Sequence, residues 1–270
     1  MKNRIACFLI IVHQLVMAQS QWEEKWSIPC DSTTAWDIDQ ANNSIVYSQN
    51  NLIKRDENGK KISEQSIKSI GEITKIDASN TFKIAVFSEN QQQICFLDNA
   101  LAIQNECIDL TAFDIQYAET FSYTEQNDRL WVYDQLNSTV KLITQESKKQ
   151  QTIQNLRTLI QFTAVNQLFE WKNELYMVTD NEKIHHFDVF GSYLGTVVVP
   201  NSHWIQAWKD GFLSATANEI NYIGSSLTSS IPFFLMLPDE TIILSFKWQA
   251  ASQLLFVQTS TKLTCFQFKK

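Results

Sequence analysis

The sequence contains few glycines and prolines, which interrupt regular secondary structure, and few cysteines, which could form disulfides. Among 270 residues there are 6 glycines, 4 prolines, 5 cysteines and 4 histidines. No Ser- or Gly-rich stretch divides the chain, so we expect one domain over residues 19–270, following an N-terminal segment. The patterns G-x-S-x-G, H-E-x-x-H, C-x-x-C and a glycine-rich phosphate loop are all absent. Their absence favours a binding protein over an enzyme.

Positive charge is also scarce. The formal net charge is −7, and it becomes −9 when Lys2 and Arg4 are removed with the N-terminal segment. A nucleic-acid binder would show a basic face, so this composition predicts no nucleic-acid partner. No second apolar segment reaches the roughly 20 residues that a membrane span needs. We therefore expect no membrane insertion once the N-terminal segment is gone.

Residues 1–18 have the pattern of a signal peptide. Lys2 and Arg4 precede an apolar stretch over 5–16, and Val16-Met17-Ala18 ends it with a cleavage site. A membrane anchor is the alternative, but the polar run QSQWEEKW begins too early for one. The segment predicts export. A composition rich in Ile, Asn, Gln and Lys favours the periplasm or the cell surface of a Gram-negative bacterium.

Short runs of β-branched and aromatic residues, separated by polar clusters, fill the rest of the chain. Six of them have the form strand, turn, strand, and they repeat at intervals of about 40 residues. Their equivalent positions are Val46, Ala85, Trp131, Tyr176, Phe212 and Leu255. Four short strands in each repeat predict an all-β fold, a six-bladed β-propeller. The sixth repeat lacks residues for its fourth strand, so we expect residues 24–30 to supply that strand and close the ring.

The fourth repeat resembles an NHL repeat. It reads ELYMVTDNEKIHHFDVFGSYLGTV, with Asp180, Lys183-Ile184, Phe187-Asp188 and Gly191 in the places of that pattern. The first repeat is a weaker copy, with Asp56 and Gly59, and the other four lack the glycine. The resemblance implies a TolB-like six-bladed propeller, a class whose members bind proteins, peptides or glycans and only sometimes catalyse.

Four cysteines remain after removal of the signal segment. Cys95 and Cys265 occupy one position in the strand alignment, and Cys30 and Cys107 each open a frame that ends in Ala, an aromatic residue, Asp and Ile. This repetition predicts the disulfides Cys95–Cys107 and Cys30–Cys265, each between adjacent strands. The alternative is four reduced, buried thiols.

Two sets of side chains are candidates for a site near the innermost strands. Asp37, Asp77 and Asp114 could hold Ca²⁺ through carboxylate oxygens in the central channel, or they could cap turns. His203 and five aromatic side chains could form a binding surface for a protein or a sugar on one rim of the propeller. Alternatively, they could pack between neighbouring blades. The aromatic candidates are Trp36, Phe113, Trp204, Trp208 and Trp248. His185 and His186 are adjacent on a strand and point to opposite faces, so they cannot chelate one metal together.

These features predict an exported, non-catalytic scaffold of the cell envelope with no resident cofactor. Its partner would be another envelope protein, a peptide or a glycan. Two alternatives stay open: a lactonase-, lyase- or hydrolase-type propeller with a channel metal, and a glycan-binding module.

Overall fold

The computed structural model describes residues 22–126, 129–144, 151–224, 230–238 and 240–269. For residues 230–234 and 236 only the backbone is described. The predicted signal peptide lies outside these ranges, and its cleavage stays a prediction. Within the described residues, no helix is long and apolar enough to cross a membrane.

The segment Thr33–His203 is one compact unit and contains four antiparallel sheets of four strands. The first strand among the described residues, β1 (Trp22–Pro29), precedes this unit. Blade one contains β2 (Trp36–Ile38), β3 (Ser44–Ser48), β4 (Asn51–Arg55) and β5 (Lys61–Ser66). Blade two contains β6 (Lys75–Asp77), β7 (Ile84–Ser88), β8 (Gln93–Leu97) and β9 (Ile103–Asp109). Blade three contains β10 (Ala118–Tyr123), β11 (Arg129–Asp134), β12 (Thr139–Thr144) and β13 (Gln151–Ile153). Blade four contains β14 (Val165–Trp171), β15 (Glu174–Thr179), β16 (Lys183–Asp188) and β17 (Tyr193–Val198).

The second compact unit joins Trp204–Lys270 to the chain that precedes Thr33. Blade five contains β18 (Trp204–Trp208), β19 (Gly211–Ala215), β20 (Glu219–Ile223) and β21 (Ser230–Met236). Blade six contains β22 (Ile243–Gln249), β23 (Leu254–Thr259) and β24 (Lys262–Phe268), and β1 pairs with β24 as its fourth strand. Described helical segments are limited to α1 (Leu156–Leu159) and 3₁₀ turns at Lys68–Ile70 and Leu110–Phe113.

Six four-stranded antiparallel blades define a six-bladed β-propeller, which confirms the predicted fold class. All six predicted hairpins are present as second and third strands. The second strands are apolar because both of their faces are covered: every residue of β7, β19 and β23 is buried. The fourth strands lie at sheet edges, and β5 and β17 are mostly exposed.

The predicted N-terminal strand completes blade six. Antiparallel pairing of β1 with β24 places Trp22 opposite Phe268 and Trp26 opposite Cys265. Trp22 makes edge-to-face contacts with Trp248 and Phe268, at centroid distances of 5.8 and 5.1 Å. These contacts bury aromatic surface in the hydrophobic core of this unit.

One predicted disulfide is present and the other is wrong. Cys95 on β8 and Cys107 on β9 are bonded, with a Cα separation of 4.2 Å. Cys30 and Cys265 both carry thiols. The register explains the error, because the residue opposite Cys265 is Trp26 and the Cys30 N–H donates to the carbonyl of Thr261. Four residues of extended chain span about 13 Å, which is more than twice the Cα separation that suits a disulfide.

The similar nine-residue segments that begin at Cys30 and at Cys107, on which the two disulfide predictions depended, adopt different structures. In the first segment, Trp36 and Asp37 lie on β2. In the second segment, Phe113 ends a 3₁₀ turn and Asp114 follows it with a φ of 54°. Asp109 explains the difference, since its side chain accepts a hydrogen bond from the backbone N–H of Thr111 and thereby caps the turn.

An aspartate-centred turn recurs in the unit Thr33–His203. One carboxylate oxygen accepts backbone N–H groups from the residues two and four positions later, and the residue three positions later has a positive φ. The aspartates are Asp39, Asp56, Asp98 and Asp188, and their positive-φ residues are Asn42 (64°), Gly59 (79°), Leu101 (71°) and Gly191 (90°). The glycines of the NHL-like pattern occupy this position, where a residue without a side chain is unstrained.

Candidate functional site

Two of the three acidic residues selected from the sequence, Asp37 and Asp77, connect neighbouring blades. One oxygen of Asp37 accepts the backbone N–H of Ala78, at 2.8 Å, just beyond β6. Similarly, Asp77 accepts the N–H of Tyr123, at 3.1 Å, on the first strand of blade three. Each carboxylate therefore joins the first strands of two neighbouring blades. Within the described residues, no group of three His, Cys, Asp or Glu side chains has a metal-binding arrangement.

Asp114 lies apart from those two carboxylates. It is exposed in the connection before β10, and its backbone carbonyl accepts a hydrogen bond of 2.7 Å from the ammonium of Lys141. Phe113, the residue before it, is buried in the core shared by blades two and three. Trp36 is half-buried on β2, and His203 is half-buried at the end of this unit.

The three remaining aromatic candidates belong to the other compact unit. The Trp204 indole donates to the carbonyl of Phe246 at 3.0 Å, and Trp248 is buried against Trp22. Trp208 packs edge-to-face on Tyr222, at 5.3 Å between ring centroids. All three rings contribute to packing within the unit.

A polar cluster that the sequence did not indicate lies at one end of blades two to four. We call this end the loop face: it carries the turns 89–92, 135–138 and 180–182 and the connections 110–117 and 154–164. The Tyr117 hydroxyl donates to Glu89 at 2.7 Å, and the Thr163 backbone N–H donates to Asp180 at 3.0 Å. Connections and turns from consecutive blades therefore meet at this face.

Two β-bulges interrupt the first strands of blades three and four. The pairing of β10 with β11 skips Glu119, and the pairing of β14 with β15 skips Asn166. Each bulge falls just after the first residue of its strand. A bulge bends the strand and redirects a side chain, and bulges are common next to functional sites.

Glu119 is the central residue of the cluster. One carboxylate oxygen, Oε2, is buried and has no hydrogen-bond partner. The pKa of Glu119 is raised, first by burial and then by the nearby charge of Glu89 and the weaker effect of Asp180, while the Val165 backbone N–H and Arg157 lower it. A buried acceptor without a donor is costly, so this oxygen is suited to a donor supplied by a ligand.

Two tyrosines border Glu119. Tyr133 is fully buried, and its pKa is raised by burial and by the charge of Glu119, against the opposing effect of Arg157. The hydrogen bond from Tyr117 to Glu89 raises the pKa of the Tyr117 phenol. Both phenols therefore stay protonated at neutral pH and remain hydrogen-bond donors.

Asp180 supplies a third carboxylate. Burial acts to raise its pKa, but hydrogen bonds from Thr163 and the backbone outweigh burial and lower the pKa. Asp180 is exposed and ionised. With Glu89 and Glu119, the cluster holds three carboxyl groups against one guanidinium, Arg157, on the short helix α1. The cluster, hereafter the Glu119 cluster, can accept hydrogen bonds from a cationic group.

Comparison with known proteins establishes the fold and nothing finer. A streptogramin B lyase has a TM-score of 0.62 at 14% identity, over 92% of this chain and 97% of that one. The WD40 domain of Neurospora crassa Pan2 has a TM-score of 0.62 at 9% identity, over 92% and 98%. The β-propeller domain of Myceliophteria thermophila Cps50 (Swd1) has a TM-score of 0.59 at 12% identity, over 87% and 82%. No protein-family model matches the chain, and no curated protein matches its sequence.

Proposed function

We propose that this protein is a non-catalytic binding propeller of the cell envelope, and that the loop face of blades two to four binds a basic segment of a partner protein. The observation that carries the proposal is the buried, unpartnered Oε2 of Glu119 beside two further carboxylates. Export follows from the signal-like residues 1–18. The NHL-like, TolB-like pattern of repeats one and four supports a binding role, since that class binds proteins and peptides.

An arginine or lysine side chain fits the Glu119 cluster by charge and by hydrogen bonding. Its N–H groups would satisfy the Glu119 oxygen, and its positive charge would lower the repulsion among Glu89, Glu119 and Asp180. Charge-assisted hydrogen bonds of this kind are about twice as strong as neutral ones. The net charge, −7 for the full sequence and −9 without Lys2 and Arg4, would also attract a basic partner over a longer range.

Binding of short peptides tests this proposal. We would measure the binding of Gly-Ser peptides with one central Arg, Lys or Glu to the wild-type protein, using fluorescence anisotropy at low and high salt. We expect the Arg and Lys peptides to bind and the Glu peptide not to bind. Glu119→Gln, which keeps the shape and removes the charge, should weaken binding about tenfold, or about 1.4 kcal/mol. Salt should weaken binding because it screens charge.

The matched control is Glu64→Gln, which removes the same charge from an exposed position on β5. This variant should bind the basic peptides as the wild type does. Equal binding by the wild type and Glu119→Gln, or equal binding of the Arg and Glu peptides, would contradict the proposal.

One observation favours a second candidate, an enzyme. A carboxyl group with a raised pKa, near two phenols, is the kind of group that serves as a general acid. The structural likeness to streptogramin B lyase suggests the first substrate to assay. Turnover of streptogramin B by the wild type that is lost in Glu119→Gln, detected by mass spectrometry, would favour the enzyme over the scaffold.

A further inference from the structure

Two exposed leucines lie on the loop face of blade three. Leu136 is 67% exposed in the turn between β11 and β12, and Leu159 is 51% exposed at the end of α1. Turns between strands usually carry polar residues. The hydrophobic core of blades three and four takes Leu156 and Ile160 from the same connection as Leu159. The exposed surface of the two leucines is therefore available to a partner.

Hydrogen bonds fix the backbone of the turn that carries Leu136. The Leu156 N–H, at the start of α1, donates to the carbonyl of Ser138 at 3.3 Å. At the other end of the turn, the Gln135 N–H donates to the Tyr117 carbonyl at 2.8 Å. The turn is thus joined to both neighbouring connections of the loop face. A surface that is already ordered loses little conformational freedom when a partner binds.

Both leucines follow residues that interact with the Glu119 cluster. Leu159 lies two residues after Arg157, whose charge lowers the pKa of Glu119. Leu136 lies three residues after Tyr133, whose pKa is raised by burial and then by the charge of Glu119. The loop face of blade three therefore presents an acidic part and an apolar part next to each other.

The strand order gives the distance between these two parts. Glu119 belongs to β10, the first strand of blade three, and Leu136 lies in the turn between the second and third strands. Adjacent strands are about 4.8 Å apart, so this turn lies about 7 Å from the first strand. Two residues of an extended chain also cover about 7 Å, and side chains two positions apart point to the same side. An extended segment can therefore place side chains on both parts at once.

We propose that the partner segment is extended and carries a large apolar residue two positions from its basic residue, and that this apolar side chain packs on Leu136 and Leu159. The inference rests on the proposed function, because the acidity of the Glu119 cluster identifies the segment as basic. The basic residue binds by charge, and the apolar residue binds because apolar surface is removed from water. Salt screens the first contribution and not the second.

Four Gly-Ser peptides separate the two contributions. They carry Arg and Leu two positions apart, Arg alone, Leu alone, or Glu and Leu two positions apart, and fluorescence anisotropy measures their binding at low and high salt. We expect the Arg-Leu peptide to bind the wild type about tenfold more tightly than the Arg peptide, because its leucine is partly buried. This ratio should persist at high salt, although salt weakens the binding of both peptides.

The double variant Leu136→Ser/Leu159→Ser removes the apolar surface. Both side chains are exposed, so we expect the variant to fold, as circular dichroism would show. It should bind the Arg peptide as the wild type does and should bind the Arg-Leu peptide no more tightly than that. The matched control is Ile62→Ser on β5, where Ile62 is 52% exposed, and this variant should keep the tenfold preference.

The outcomes distinguish this inference from the proposed function. Equal binding of the Arg and Arg-Leu peptides to the wild type would overturn the inference and leave the proposed function intact, as would a tenfold preference that survives in the double variant. Failure of both Arg peptides to bind would overturn the proposed function and this inference with it. Binding of the Leu or the Glu-Leu peptide as tightly as the Arg-Leu peptide would also overturn both, since the basic residue would then contribute nothing.

Discussion

At the scale of single residues, burial separates the two adjacent histidines of blade four. His185 is 3% exposed and its Nδ1 lies 2.7 Å from the Thr196 hydroxyl. His186 is half-buried, and its Nδ1 lies 2.9 Å from Glu174. Burial, followed by the charges of Lys183 and His186, lowers the pKa of His185 from 6.5 to about 4. The fold therefore keeps the His185 imidazole neutral.

This lowered pKa predicts that acid destabilises the protein over a defined range. Above pH 6.5, His185 is neutral in both the folded and the unfolded chain and does not affect stability. Between pH 6.5 and about 4 the unfolded chain binds a proton that the folded chain does not. The free energy of unfolding therefore decreases as the pH is lowered through this range. The loss amounts to about 3 kcal/mol. Urea unfolding at pH 7.5 and pH 4 should show this loss in the wild type and not in His185→Gln.

His186→Gln is the control for that measurement. It leaves His185 buried, and burial is the largest cause of the lowered pKa. We therefore expect His186→Gln to keep the wild-type dependence on pH. If His185→Gln loses as much stability on acidification as the wild type, another group is responsible.

At the scale of secondary-structure elements, the aspartate-centred turn gives a physical reason for the NHL-like pattern. The motif needs a carboxylate at its first position and a positive φ at its fourth. Glycine meets the second need at Gly59 and Gly191, while Asn42 and Leu101 adopt the same backbone conformation with a side chain. Leu101 is fully buried, so its packing compensates for the backbone strain. The turns at Asp39 and Asp98 therefore have the same geometry as those that contain glycine.

Gly191→Ala should therefore be destabilising. The φ of Gly191 is 90°, and an added Cβ would lie 2.9 Å from the Cγ1 of Ile153. Strain and crowding together should lower the free energy of unfolding by about 2 kcal/mol. Gly224→Ala is the matched control, because its Cβ would make an ordinary contact of 3.6 Å with Tyr222. Chemical denaturation should show a change of less than about 0.5 kcal/mol for Gly224→Ala, and equal effects would contradict this account.

The elements also show where sequence reasoning succeeded and where it failed. The six hairpins were predictable because short runs of β-branched and aromatic residues on either side of a polar turn are typical of two paired strands. The segment that begins at Cys107 did not adopt the same structure as the one at Cys30. Asp109 caps a 3₁₀ turn there, whereas Ser32 occupies the equivalent position in the first segment. The bulge at Glu119 was not predictable, since a skipped residue depends on the pairing of two strands and leaves no local pattern.

At the scale of the whole molecule, blade six is built from both terminal regions of the sequence. The predicted pairing of an N-terminal strand into blade six is confirmed, although the strand is β1 (Trp22–Pro29) and not 24–30. The register of this strand could not be predicted, and the error in register produced the wrong disulfide between Cys30 and Cys265. The function of the protein is a matter of surface chemistry, which the fold does not determine.

A protein that lacks residues 22–29 tests the contribution of the β1–β24 pairing to stability. Its β24 would have an unpaired edge, and the rings around Trp22 and Trp26 would lose their partners. We expect its Tm to fall by about 10 °C and its tendency to aggregate to rise. Addition of the peptide WEEKWSIP should restore the Tm, whereas the same peptide with Trp22→Ala and Trp26→Ala should not. A truncated protein with the wild-type Tm would show that β1 does not stabilise the fold.

The pairing of β1 with β24 also fixes an order of events during synthesis. Trp22 meets Phe268 in the sheet, so β1 cannot pair until synthesis has reached β24. Every strand of the four blades in Thr33–His203 is available much earlier. Pairing between such distant segments is slow, and an unpaired strand is prone to wrong association while it waits. Formation of the blade-six sheet therefore determines how long the newly synthesised chain exposes an unpaired strand to wrong association.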